Sequence, residues 1–87
     1  MFGVKVTGPS SDPWSGWAIR KGLDANLSVK VLVAKSLSDA EKFHTLEEAE
    51  EVGFLLATQQ PGLLGRIRIA KLRQSELDRR WMVDSEA

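Results

Sequence analysis

The sequence predicts an α+β domain: a mostly antiparallel four-stranded sheet in the chain order β-β-β-α-β, with one amphipathic helix packed on one face. Two observations lead to this prediction. Apolar and polar residues alternate in four short segments, as they do in strands that bury one face. One longer segment repeats its apolar residues at helical spacing. A chain of 87 residues can bury one such pair of layers as a single core.

The four predicted strands share an alternation with a period of two residues. In the first strand, Phe2, Val4 and Val6 alternate with small or polar residues. The third strand is the richest in β-branched residues, which favour extended structure. A loop over 8–15 contains two prolines, and 22–26 has the Gly, Asp and Asn content of a turn. The predicted strands span 2–7, 16–21, 27–34 and 65–71.

The helix is predicted over 45–60. Thr45 and Glu48 have the spacing of a capping box, and the glutamates that follow Leu46 suit the positive end of the helix dipole. Pro61 ends the helix because it cannot continue the hydrogen-bond ladder. A glycine inside the apolar stripe predicts close approach to the layer beneath. The residues of the stripe are Leu46, Ala49, Val52, Gly53, Leu56 and Ala57.

The C-terminal stretch allows two interpretations. Ser75 and Asp78 resemble a helix start and favour a short terminal helix. A fifth strand ending in 81–83 is the alternative. We therefore divide the single domain into a core, 1–72, and a C-terminal extension, 73–87.

The strand register predicts which residues face the helix. On this register the core side carries apolar residues, and the opposite face carries basic ones. The glutamates of the helix then lie on the far layer, so that a chain of zero formal net charge is polarised. A solvated sheet face is the plain explanation, and a docking surface for an acidic partner is the functional one. The predicted core residues are Phe2, Val4, Val6, Trp17, Ile19, Val29, Val31, Val33, Ile67 and Ile69. The predicted basic face consists of Lys5, Arg20, Lys30, Arg66 and Arg68.

Composition argues against several classes of protein. There is no cysteine, and His44 is the only histidine, so we expect no metal site and no cofactor. No pattern of nucleophile and base, and no phosphate-binding glycine loop, predicts an enzyme. The N-terminus has no apolar run that resembles a secretion signal, and no segment approaches a membrane span. We expect a cytoplasmic protein with no membrane partner.

The segment 40–50 carries a family resemblance. Its residues Phe43, Thr45, Glu47, Glu48 and Ala49 fit the pattern A-x-x-F-x-T-x-E-E-A. With the strands around it, this segment resembles small proteins encoded by bacteriophages and prophages. The resemblance implies a small accessory protein in the host cytoplasm, and members of this kind sometimes inhibit host machinery, including defence nucleases.

These observations lead to three functional hypotheses. The first is a non-enzymatic binding protein that docks on an acidic protein surface through the basic face, or through an apolar patch of Phe54, Trp14 and Trp81. The second is nucleic-acid binding by the same basic face, which is less favoured because that face carries no aromatic residue for base stacking. The third is self-assembly, as a homodimer or larger structure, through an exposed strand edge or the Trp81 tail.

Overall fold

The computed structural model describes residues 1–23 and 29–86. The strands are β1 Phe2–Val6, β2 Gly16–Leu23, β3 Val29–Ala34, β4 Ile67–Gln74 and β5 Trp81–Glu86, and the main helix α1 is Leu46–Gln59. The strands form one antiparallel sheet in the spatial order β3-β2-β1-β4-β5. The α+β class is therefore confirmed, with five strands in place of the predicted four. The predicted turn over 22–26 and the start of the predicted third strand extend outside the described residues.

Helix α1 lies on one face of the sheet and begins as predicted. The Thr45 hydroxyl accepts a hydrogen bond from the Glu48 N–H at 3.2 Å. Gly53 is buried, and a Cβ at this position would lie 3.4 Å from Cγ2 of Ile67, so the helix does approach β4 closely. Among the described residues, no helix is long and apolar enough to cross a lipid bilayer. The core beneath α1 contains Val4, Val6, Ala18, Val31, Phe43, Ala49, Val52, Leu56 and Leu63.

The predicted register is wrong for β2. Lys5 on β1 pairs with Trp17, so Trp17 points to the face opposite α1, called the distal face below. Ala18 instead faces α1 and is fully buried. The prediction that Trp17 and Ile19 lie on the helix side is wrong because the distal face has an apolar cluster of its own, which contains Trp17.

The distal face carries a second, smaller apolar cluster. Its buried members are Trp17, Ala40, Ala70 and Leu72, with Leu37 and Trp81 packed against them. Gly3 makes room for this cluster, because a Cβ there would lie 3.1 Å from the Trp17 ring and 2.9 Å from Leu72 Cδ1. The missing side chain on the central strand thus lets an indole lie against the sheet.

Residues 81–86 of the C-terminal extension form strand β5, so the prediction of a short terminal helix is wrong and the alternative of a fifth strand is confirmed. A six-residue loop, 75–80, joins β4 to β5, with the Ser75 N–H donating to the Arg80 carbonyl at 2.8 Å. The Asp78 carboxylate accepts the Arg80 N–H at 3.1 Å, and Arg79 has the left-handed φ of 62° that closes the loop. Pairing with β4 satisfies the backbone and brings Trp81 onto the distal cluster, which a short helix could not do.

The two outer strands of the sheet, β3 and β5, have different surroundings. The Gln59 carboxamide reaches from α1 to the free edge of β3, accepting from the Val31 N–H at 3.1 Å and donating to the Val29 carbonyl. Trp14 lies beside the same strand, in a depression lined by Leu32 and other residues. Among the described residues, none donates a hydrogen bond to the outer edge of β5 or accepts one from it. The sheet therefore has one capped edge and one open edge.

Candidate functional site

Three of the predicted basic residues lie on the distal face. Lys5 and Arg68 are register partners on β1 and β4, and strand alternation places Lys30 on the same face of β3. Lys5 is not free, because its ammonium lies 3.2 Å from Glu86 Oε1 and 5.9 Å from the centre of the Trp17 ring. The distal face therefore contains an acidic side chain that the sequence interpretation omitted.

Arg20 lies on the other face, which corrects its predicted position. Arg20 alternates with Trp17 and Ile19 along β2, so it lies on the α1 face when those two residues lie on the distal face. Its Nε donates to Glu41 Oε2 at 2.9 Å, and its Nη2 lies 3.2 Å from Glu48 Oε1. The hydrogen bond with Glu41 is the main cause that raises the pKa of Arg20. Arg20 therefore links β2 to the segment before α1 and to α1 itself.

Arg66 is held by the loop between β1 and β2. Its Nη2 lies 2.7 Å from Asp12 Oδ2, and its Nε donates to the Thr7 carbonyl at 2.7 Å. The other Asp12 oxygen accepts the Trp14 N–H at 2.9 Å. This backbone hydrogen bond, assisted by Arg66, lowers the pKa of Asp12. Arg66 thus fixes the Trp14 loop, and the five basic residues do not form one continuous free surface.

The three aromatic residues of the predicted apolar patch lie in three separate places. Trp14 is half-buried beside β3. Trp81 packs on the distal cluster, with the Lys42 ammonium 5.2 Å from its ring centre. Burial of this ammonium lowers the pKa of Lys42. Phe54 lies on α1 with 74% of its surface exposed.

Phe54 borders an apolar groove between α1 and β4. The groove has a volume of about 300 Å³. Leu64, which is 72% exposed, forms its other rim. Ile67 and Ile69, both half-buried, lie at the groove where they also pack against the core. Two large exposed apolar side chains that face each other across apolar residues form a patch of the kind that marks binding surfaces.

The sequence of α1 and its C-terminal connection explains the groove. Leu63 and Leu64 are adjacent in a 3₁₀ helix over Pro61–Arg66, so one points into the core and the other out. Gly53 has no side chain to fill the space beside Ile67. Sequence reasoning identified Phe54 as off the buried stripe but missed Leu64, since a short apolar run does not reveal which leucine is exposed.

The charge around the groove is acidic. Helix α1 has four glutamates and no basic residue. Glu48 turns toward Arg20, whereas Glu47, Glu50 and Glu51 are exposed and share the helix side of Phe54 by their spacing. Glu50 itself lines the groove. The groove therefore combines an apolar floor with a negatively charged wall.

Within residues 1–23 and 29–86, no group of three or more His, Cys, Asp or Glu side chains could hold a metal ion. Comparisons with protein-family models, with curated proteins and with solved structures found no match to this chain.

Proposed function

We propose that this protein is a non-enzymatic binding module whose groove between α1 and β4 receives a short segment of another protein. The observation that carries the proposal is the pair of exposed side chains, Phe54 and Leu64, that flank the half-buried Ile67 and Ile69. Burying such a patch against a partner gains about 25 cal/mol for each Å² of apolar surface removed from water.

The chemistry of the groove selects the kind of segment. A volume of about 300 Å³ accepts apolar anchor side chains and lies at the lower end of the range for ligand pockets. The exposed glutamates of α1 favour a segment that carries lysine or arginine beside its apolar anchors. The proposed partner segment is therefore apolar with a basic flank, which is the opposite charge from the acidic partner expected from the sequence.

The basic face is the weaker candidate for docking. Lys5 is paired with Glu86, Arg66 with Asp12, and Arg20 lies on the other side of the sheet. Lys30 and Arg68 remain exposed on different strands. Separated exposed charges of this kind contribute little binding energy. A role as a phage-encoded accessory protein that binds a host protein through the groove is compatible with this proposal.

The proposal can be tested with a displayed library of random 12-residue peptides selected on the immobilised protein. We expect enrichment of peptides that combine leucine, isoleucine or aromatic residues with lysine or arginine. The affinity of the best peptide, measured by fluorescence anisotropy, should fall by about tenfold or more in Phe54→Asp and in Leu64→Asp, since each removes a central apolar contact. Glu50→Lys should weaken binding less and reduce its dependence on salt.

The matched control is Leu77→Asp. Leu77 is 99% exposed at the loop between β4 and β5, so this variant adds the same charge away from the groove and should bind normally. The proposal is contradicted if no enriched peptide depends on Phe54. It is also contradicted if the enriched peptides are acidic and lose affinity in Arg68→Glu and Lys30→Glu, which would assign binding to the distal face.

A further inference from the structure

The open edge of β5 has a defined hydrogen-bonding pattern. At the start of the β4–β5 ladder, the Ser75 N–H donates to the Arg80 carbonyl at 2.8 Å. In an antiparallel ladder, hydrogen-bonded and non-hydrogen-bonded pairs alternate. Since Gln74 pairs with Trp81 and Leu72 with Val83, the N–H and C=O groups of Trp81 and Val83 point away from β4. These two residues present four unpaired backbone groups at the outer edge.

We propose that β5 pairs antiparallel with β5 of a second copy of this chain, with Met82 opposite Met82 on the two-fold axis. In such a dimer, Trp81 or Val83 of one copy must form a hydrogen-bonded pair with Trp81 or Val83 of the other. The three possible combinations give registers centred on Trp81, Met82 or Val83. Only the register centred on Met82 places Arg80 of each copy opposite Asp84 of the other.

The competing registers are disfavoured by charge and by geometry. Centring on Trp81 sets Asp78 against Asp84, two like charges. Centring on Val83 sets Arg80 opposite Glu86, but a bulge at Asp84 separates them along the strand. Glu86 pairs with Lys5 on the distal face, whereas Arg80 alternates with Trp81 and therefore lies on the α1 face.

The register centred on Met82 is also supported by the neighbours of Asp84. Its carboxylate lies 3.4 Å from Arg73 Nε on the α1 face, and Met82 is the register partner of Arg73 on that face. Continued strand alternation would direct Arg80 to the same face. An arginine of the second copy would approach the other side of the same carboxylate. Pairing would also shield Met82 and Val83, which are each 41% exposed.

The capped edge of the sheet explains why assembly would stop at two copies. Pairing through β5 leaves β3 at both ends of the joined sheet, where the Gln59 carboxamide already bonds the Val31 N–H and the Val29 carbonyl. A two-fold interface that uses the open β5 edge closes on itself, whereas a sheet with two open edges would propagate a filament.

Charge reversal tests the proposed register. By analytical ultracentrifugation of the full chain across a range of concentrations, we expect a monomer–dimer equilibrium. Arg80→Glu and Asp84→Arg should each raise the dimer dissociation constant by about tenfold, because each opposes like charges across the interface. The double variant Arg80→Glu, Asp84→Arg should recover most of this loss. Arg79→Glu, which changes the net charge by the same amount in the same loop, is the matched control and should dimerise normally.

A second measurement keeps the test valid if a variant folds poorly. Amide hydrogen exchange of the unaltered protein should slow at Trp81 and Val83 as the concentration rises, and at no edge position of β3. A wild-type chain that stays monomeric at the highest concentration would overturn the proposal. A dimer that withstands both single charge reversals, or one that the double variant does not restore, would overturn it as well.

Discussion

The two ends of the sheet show how differently one small domain can treat its outer strands. At the β3 end, α1 covers one face, Gln59 binds the backbone edge and Trp14 lies beside the strand. At the β5 end, the described residues bond to the strand on the β4 side only, and its residues from Met82 to Glu86 are exposed. Unpaired edges invite association, so proteins usually cover or disrupt them.

The difference between the β3 edge and the β5 edge shows which end of the sheet is stabilised by additional interactions. The side chain of Gln59 imitates a neighbouring strand, because a carboxamide offers the same donor and acceptor as a peptide group. The β5 edge receives no such cover from the described residues and is marked by charges and a bulge instead. The β3 end is therefore built for stability, whereas the β5 end remains available for contact.

The largest expected difference between the two ends comes from one substitution made in both outer strands. Val31→Ala on β3 should lower the free energy of unfolding by about 2 kcal/mol, because Val31 is only 2% exposed and its removal leaves a cavity. Val83→Ala on β5 should cost about 0.5 kcal/mol, since Val83 is 41% exposed. Urea denaturation measures both values, at a protein concentration low enough to keep the chain monomeric. Equal costs would show that the comparison is wrong.

Removing the cap at the β3 end should have the next largest effect. Gln59→Ala deletes both hydrogen bonds to β3 and should lower the free energy of unfolding by about 1 kcal/mol. It should also speed hydrogen exchange at the Val31 amide and promote association through the newly opened edge. Thr58→Ala, an exposed neighbour on the same helix, serves as the control and should leave Val31 protected. Unchanged exchange at Val31 would argue that Gln59 does not cap the strand.

The smallest expected effect is a pH dependence at the covered end. Burial alone would raise the pKa of Glu41, but hydrogen bonds from the Arg20 side chain and backbone outweigh it and lower the pKa below its ordinary value. A depressed carboxyl pKa contributes stability at neutral pH that is lost as the pH falls below about 5 and through the lowered pKa. Glu41→Gln should therefore reduce stability at pH 7 by up to about 1 kcal/mol and flatten its acid dependence.

Thermal unfolding between pH 3 and pH 7 measures this dependence, with Glu51→Gln on the exposed side of α1 as the control. If Glu41→Gln and the unaltered protein lose stability in parallel on acidification, the ion pair between Arg20 and Glu41 does not contribute as described.

The parts of the fold that could be predicted from sequence are those encoded by local patterns. The N-cap at Thr45 and the buried stripe from Ala49 to Leu56 depend on residues within a few positions of each other, and both are present in α1. The second half of the predicted capping box is wrong, because the Glu48 carboxylate pairs with Arg20, and Leu46 at the start of the predicted stripe is exposed. The α1-facing sides of β1, β3 and β4 likewise follow from strict alternation. The pattern in β2 misled because its larger apolar residues, Trp17 and Ile19, lie on the distal face, and only pairing with β1 decides which face lies under the helix.

Of the two exposed residues that flank the groove, only Phe54 could be predicted from local sequence. Phe54 departs from the stripe of α1, so its exposure can be inferred from helical spacing alone. Leu64 belongs to a short 3₁₀ helix, and its orientation depends on how that segment packs against α1 and β4. The prediction of one continuous basic face is wrong because ion pairs such as that of Arg66 with Asp12 hold these residues in different places. The ion pairs join residues far apart in the chain, and no local sequence pattern predicts them.

The central position of β1 has a consequence for how the chain folds. Its residues bond to β4, so Thr7 meets Arg66 across 59 positions of sequence, and Lys5 meets Glu86 across 81. Contacts of such long range slow folding, because a large loop must close before they form. During synthesis β1 can pair early with β2, and β2 with β3, but the edge of β1 that bonds to β4 must wait until nearly the whole chain has emerged.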